Sequence, residues 1–454
     1  MADQVHEEKI ARQLRNISEA LDSGVKFQVS RMLIGLSAAE IGDLLESLPL
    51  PKRLAVWELV DPGLDGDVLV EVNDQVRDSL IGDMTEAELV AAVDELDLDD
   101  LADIFDDLPD AVISSVLNSM DRQDRERLDR VLSYPEDSAG GLMDPDVLSV
   151  RPDVSLDVVL RYLRARGELP KVFDLLFVVD RSGRYLGSFK LSDLLTRDPA
   201  SSVADHMDRT VRTIPVDMPA SQVATEFEHL DLLSAPVTDA EQRLLGTITI
   251  DDVVDVIREE ADHSLLTMAG LDQEDDMFAP AVRSAPRRWI WLAVNLVTAF
   301  MAAGVLYLFE PTLDQIVATA VLFPVVMSMG GIAGTQTLTL MVRGMATGQV
   351  SAGNTSALLR KELAVGLMNG VVFALLVGLI AMLWYGKLKL GIVIAVAILL
   401  NLIVAALAGA VVPVALRRLS IDPALAGGVV LTTVTDIIGI SAFVGLASIV
   451  LLAK

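Results

Sequence analysis

The sequence contains no cysteine in 454 residues, so no disulfide framework and no thiolate metal or redox centre can form. It also lacks a Walker A loop, an H-E-x-x-H pair and a nucleophile elbow, and its four histidines are scattered, so no enzymatic activity is expected. The opening MADQVHEEKIARQLRN has no apolar core of a signal peptide, which predicts an amino terminus that stays in the cytosol. Positive charge is scarce: the net charge is −29, which repels phosphate and argues against nucleic acid as a partner.

That charge is not evenly spread. Residues 1–280 hold 25 Lys and Arg against 60 Asp and Glu, while residues 281–454 hold 11 against 5 and are otherwise almost continuously apolar. The first part is an acidic, cation-attracting polypeptide; the second reads as membrane. Five apolar stretches near 289–309, 315–342, 359–384, 391–415 and 427–452 are long enough to cross the bilayer as helices. Arg283, Arg287, Arg288, Arg343, Arg360, Lys361, Arg417 and Arg418 fall on one side, outnumbering Lys387, Lys389 and Lys454 on the other. The first side is therefore expected to be cytosolic, with the carboxyl terminus outside a multi-pass inner (plasma) membrane protein.

Two features inside these stretches depart from lipid-facing sequence. The second contains Gly330, Gly331 and Gly334, followed by Thr335, Gln336 and Thr337. Such glycines either let helices approach closely or break the helix so that carbonyls and Gln336 line a wet pathway. The fifth contains VLTTVTDIIG, with Asp436 well inside the apolar run, Thr432 one turn earlier and Gly439 at i+3. A carboxylate there costs several kcal/mol unless it faces a pore or a partner, and no basic residue lies at comparable depth. Oxygen ligands alone select hard cations, and Mg²⁺ keeps much of its hydration shell, so one carboxylate with nearby oxygens suffices; Ca²⁺, Mn²⁺, Na⁺ and H⁺ are not separated by this chemistry. In a homodimer two copies of Asp436 would double the field.

An internal repeat occupies residues 138–258. FVVDRSGRYLGSFKLSDLL (177–195) matches SAPVTDAEQRLLGTITIDDVV (234–254), pairing Asp180 with Asp239, Gly187 with Gly246 and Asp193 with Asp252. Each copy predicts strand, helix, strand, turn, strand, helix. The pattern resembles a tandem pair of cystathionine-β-synthase (CBS) domains, which implies an adenosine nucleotide site. Its G-x-x-T-x-x-D motif falls on Gly246, Thr249 and Asp252, whereas the first copy has Lys190 at the hydroxyl position.

Residues 1–137 predict an acidic helical array. LSAAEIGDLLESLP (36–49) is similar to LDLDDLADIFDDLP (96–109), and Ser37-x-x-Glu40 and Thr85-x-x-Glu88 are capping boxes. Nine Asp and Glu crowd residues 94–110, and six more follow between Asp251 and Asp262. Closing such faces on each other requires counter-cations. Residues 259–286 form a connecting segment into the membrane part, 287–454.

Acidic helical leader, CBS pair, glycine-rich span and a late intramembrane Asp, in that order, resemble the MgtE family of magnesium channels. The motifs are LDDLAD (98–103), GGIAGTQT (330–337), SIDPAL (420–425) and TTVTDIIG (432–439). The resemblance implies a homodimer with a Mg²⁺ pore at Asp436, closed by Mg²⁺ bridging Asp99, Asp103, Asp252, Asp255, Glu260 and Asp422, with ATP as a modulator. Ile332 and Thr335 stand where the family has amides, and His263 and Ser264 where it can have acids. The expected fold is thus an α-helical domain, an α/β CBS pair and a five-helix all-α membrane bundle. The competing expectation is a secondary transporter of divalent cations coupled to Na⁺ or H⁺.

Overall fold

The structure is a computed structural model describing residues 14–452 apart from 95, 168, 171, 272–275, 351, 352 and 420. The polar opening segment and Ser420 of the SIDPAL motif lie outside the described residues. The chain divides into two compact units, Met1–Asp262 with Glu274–Pro280, and His263–Gln273 with Ala281–Lys454.

The first unit begins with short helices, among them Ala38–Glu46, Leu50–Trp57, Asp74–Ile81, Glu86–Val93 and Leu98–Asp103. Both capping boxes form: the Ser37 and Thr85 hydroxyls accept from the backbone N–H of Glu40 and Glu88, whose carboxylates accept in return. Helices this short are marginal alone, so each buries one apolar face, with Leu45, Leu69, Leu80, Leu89 and Leu101 in a common core. Two arginines are buried inside it. Arg53 Nε donates to the Leu45 carbonyl at 2.9 Å, and Arg77 Nε to the Leu69 carbonyl at 2.8 Å. The same eight-residue reach thus closes the end of a preceding helix twice. Arg53 also pairs with Asp276 at 2.9 Å, with side chains 1% and 7% exposed.

The CBS copies each carry a three-stranded sheet: β1 (Ser149–Val150), β2 (Leu175–Val179) and β3 (Tyr185–Lys190), then β4 (Ile214–Pro215), β5 (Ser234–Thr238) and β6 (Leu244–Thr249). β1 and β4 pair in parallel with β2 and β5, which pair antiparallel with β3 and β6. The register is equivalent, Leu175 opposite Lys190 and Ser234 opposite Thr249, and both hairpins shift at the same place, Val178/Val179 and Val237/Thr238. The repeat read from sequence is therefore a structural duplication. The second copy ends in one long helix, Ile250–Met268, so the expected change at 258/259 falls within a continuous helix.

Among the described residues of the second unit, five helices are long and apolar enough to cross a membrane: Ser284–Tyr307, Val317–Ala346, Thr355–Tyr385, Leu388–Arg418 and Pro423–Leu451. They are called here the first to fifth spans. The third buries Glu362, Gly366, Gly370, Ala374 and Gly378, an unbroken i, i+4 row. Small residues let the fourth span come close: a Cβ on Gly366 would lie 2.7 Å from the Ala406 Cβ, and one on Gly378 2.9 Å from the Gly391 carbonyl. The second span runs as helix straight through Gly330, Gly331 and Gly334. The helix is therefore unbroken there, with Gly330 packed closely on Asn401 and Gly334 on Leu431, while Gly331 meets nothing within 4 Å.

Candidate functional site

The fifth span carries Asp436 half-buried, one turn before Gly439. Thr432 donates to the Gly428 carbonyl at 2.9 Å and the buried Thr435 to the Thr432 carbonyl at 3.0 Å, so both hydroxyl protons are committed to the helix backbone. Their oxygens remain acceptors. Among the described residues, no hydrogen bond or ion pair involves the Asp436 carboxylate. The fourth span inserts Asn401, 1% exposed, between the second and fifth. A Cβ on Gly330 would lie 2.2 Å from Asn401 Nδ2, and one on Gly439 3.0 Å from it. Both glycines are thus the seat of an amide wedge whose Nδ2 donates to the Val326 carbonyl at 2.9 Å. Gly331 faces open space, and Gln336 is exposed, as is Ile332.

A second constellation lies in the first unit. The helix Leu98–Asp103 packs Ala102 on the core of the second CBS copy, whose members include Met143 and Val253. Asp99 lies close enough to feel the charges of Asp144 and Asp252, and Asp103 close enough to feel those of Asp252 and Glu136. Asp144 is held by its backbone, which exchanges hydrogen bonds of 2.8 and 3.0 Å with Thr247. Burial pushes Asp103 and Asp252 up to about 7, and neighbouring acids add to the effect. Asp99 is pushed well above the usual carboxylate range, by burial first and then by Asp144, Asp100 and Asp252. Its Oδ1 is buried without a hydrogen-bond partner. Such an oxygen costs about 1–3 kcal/mol if left bare.

This donor set fits a hard cation: all oxygen, strongly negative, with one orphaned buried acceptor. Among the described residues, no three His, Cys, Asp or Glu side chains converge tightly enough to hold a bare ion. The fit is therefore to an ion that keeps part of its water shell. Asp255 and Glu259 are also raised, mainly by burial, with Arg258 lowering the former. Glu260 is exposed on the same helix. Asp422 caps the start of the fifth span, accepting from Ala424 N at 2.8 Å, with His263 Nε2 at 3.8 Å from its other oxygen. An imidazole thus faces Asp422 where the resemblance allows a carboxylate; the Ser264 side chain lies outside the described residues.

In the nucleotide motif, Asp252 Oδ2 accepts from Thr249 N at 3.1 Å and from its hydroxyl at 3.0 Å, and Asp251 also engages that hydroxyl. Gly246 is required by packing, since a Cβ there would lie 2.6 Å from the Asp144 carbonyl. Asp252 thus belongs to both the acid cluster and the nucleotide motif.

Sequence reasoning missed Asp144 and Glu136, which sit in loops without periodicity, and Glu362. Glu362 is 3% exposed in the third span. Beside Arg360 and Lys361 it reads as an interfacial charge, but it falls on the i, i+4 row of Gly366 and Gly370, which was legible.

Residues 323–446 match the divalent cation transporter family, residues 36–137 the MgtE intracellular N domain, and residues 139–199 and 203–259 the CBS domain. The magnesium transporter MgtE of Thermus thermophilus is 30% identical over 453 residues, covering 98% of this chain and 99% of that one. The magnesium transporter MgtE of Bacillus subtilis is 27% identical over 382 residues, 84% of this chain and 85% of that one. The crystal structure of the cytosolic domain of the Mg²⁺ channel MgtE in complex with ATP is 30% identical, with a TM-score of 0.48, covering 54% of this chain and 99% of that one. A helical domain, a CBS pair and five apolar spans define a multi-pass membrane transporter of divalent cations. The chain belongs to the MgtE family of magnesium transporters.

Proposed function

We propose that two copies of this chain form a Mg²⁺ channel with the ion path at their common axis, where the paired Asp436 carboxylates hold the hydrated ion. The observation that carries this is a half-buried carboxylate, deep in an apolar span, that no cation or hydrogen-bond donor satisfies among the described residues. A carboxylate held at that depth is expensive without a cation. With one, it attracts the divalent ion, and the ion's own water contacts the oxygens of Thr432 and the neighbouring backbone. In this orientation the carboxyl terminus lies outside the cytosol.

Gating follows from the acid cluster. Asp99, Asp103 and Asp252, with Asp144, hold regulatory Mg²⁺ in the closed arrangement, and Asp255, Glu260 and Asp422 contribute along the connecting helix and the last cytosolic loop. Ions that bind only the closed arrangement favour it by mass action. When internal Mg²⁺ falls, the like charges repel and the closed arrangement is released. ATP at Gly246, Thr249 and Asp252 biases the same equilibrium by ordering the start of the connecting helix. The missing acid at His263 predicts a shallower response to internal Mg²⁺ than a carboxylate there would give.

Growth rescue of a magnesium-transport-deficient strain tests the pore. Wild type is expected to rescue, and Asp436→Ala to fail at equal membrane abundance; equal rescue by both would overturn the assignment.

A further inference from the structure

Between the second and third spans lies a cleft of about 110 Å³ that neither the pore nor the gate uses. Its polar lining is Gln336 and Thr337 from the second span and Lys361, Glu362 and Asn369 from the third, with Ala406 of the fourth span in its floor. Glu362 is the buried centre. Its Oε2 accepts from the Thr337 hydroxyl at 3.1 Å and its Oε1 from Lys361 Nζ at 2.7 Å. The lysine side chain is 58% exposed and the carboxylate 4%, so the ammonium reaches in from the mouth. Gln336 and Asn369 are exposed along the open side.

The position fixes where the cleft opens. Spans alternate in direction, so the third begins on the side where the first begins. Glu362 lies seven residues beyond Thr355, roughly 10 Å in, and Asn369 about 10 Å deeper. Polar groups thus line the cleft from that surface into the hydrocarbon depth. A carboxylate serving only to tie two helices needs its hydroxyl and ammonium partners and nothing else. Here it also borders a volume able to hold several waters, rimmed by two further carboxamides whose oxygens suit a hard cation.

We propose that this cleft is a second cation site, wet and open on the side where the first span begins. There Glu362, with the carboxamide oxygens of Gln336 and Asn369, takes a hydrated divalent cation in exchange for the Lys361 ammonium. It deepens the cation-pathway reading above, since an ion passing Asp436 toward that side would meet a second carboxylate. Lys361 acts as a tethered cation that keeps the buried charge paired when the ion leaves.

The absence of native cysteine gives a direct test that does not depend on transport. Val365→Cys, or Leu340→Cys should the first fold poorly, both lining the cleft without supplying an oxygen, is placed in the full-length protein in inside-out membrane vesicles. It is treated with a membrane-impermeant trimethylammonium methanethiosulfonate, at ionic strength matched with choline chloride. The cysteine is expected to react, and MgCl₂ at about ten times its half-protecting concentration should slow the reaction roughly tenfold. Adding Glu362→Gln should abolish that protection, and adding Lys361→Met should lower the half-protecting concentration. Reaction only with a membrane-permeant maleimide means a lipid-filled cleft, no reaction with either means a cleft closed by protein, and reaction indifferent to MgCl₂ means a wet cleft that takes no cation. Each overturns the proposal. Repeating the measurement with Asp436→Asn separates the readings: protection that survives there stands whether or not Asp436 is the pore site.

Discussion

At the scale of single residues, the chain keeps acids where burial opposes their charge. Asp103 and Asp252 are pushed up to about 7 from an ordinary 3.8. Each therefore binds more protons folded than unfolded between those values, so folding stability falls as pH rises through that window and the loss is complete above the folded value. In chelator, the melting temperature of the full-length protein should fall from about pH 5 to about pH 8, and saturating Mg²⁺ should remove most of that fall. Asp103→Asn and Asp252→Asn should each flatten the profile in chelator while weakening the Mg²⁺-dependent rise. A profile that neither Mg²⁺ nor these substitutions alter would contradict the cluster's role. Asp436 was legible because a lone acid in an apolar run has no ordinary explanation. Asp144 was not: the backbone pairing with Thr247 that aims it at Asp252 joins residues a hundred positions apart.

At the scale of elements, close approach decides what each helix tolerates. A Cβ on Gly409 would lie 2.6 Å from the Gly334 carbonyl, a backbone atom, whereas one on Gly331 meets nothing within 4 Å. Gly409→Ala should therefore cost about 1–3 kcal/mol through overpacking, and Gly331→Ala should stay within about 0.5 kcal/mol, both read by thermal unfolding in detergent. Equal effects would mean the second and fourth spans do not meet as described. The sequence presented three glycines in the second span without deciding between packing and breakage, because the deciding partners, Asn401 and Leu431, lie on other helices. Arg53 makes the complementary case. Beside Lys52 in a short helix it reads as surface, yet it is buried against Asp276, and losing one partner of such a pair strands the other. Asp276→Ala should destabilise by about 3–5 kcal/mol, and Arg53→Met combined with Asp276→Leu by much less; an Asp276→Ala variant of wild-type stability would refute the pairing. Nothing local marked it, since the two residues are far apart in sequence. The shared spacing of Arg53 from Leu45 and Arg77 from Leu69 was the only trace.

At the scale of the whole molecule, charge and hydropathy alone divided the chain into an acidic region and a membrane region, and internal repetition located the CBS pair. Those features are linear in the sequence, so they were readable. The convergence of carboxylates from a helical domain, a loop and a connecting helix is a property of the fold, and only the family resemblance anticipated part of it. The proposed transport is of Mg²⁺, along a path that needs the Asp436 charge. It is tested most directly by Mg²⁺ flux into proteoliposomes of purified full-length protein, reported by an entrapped fluorescent indicator, for wild type and Asp436→Asn. Wild type should carry Mg²⁺ down its gradient, and Asp436→Asn, equally folded and equally reconstituted, should fall to the protein-free baseline. Flux of the same size through both would mean that the Asp436 charge is not needed for Mg²⁺ transport.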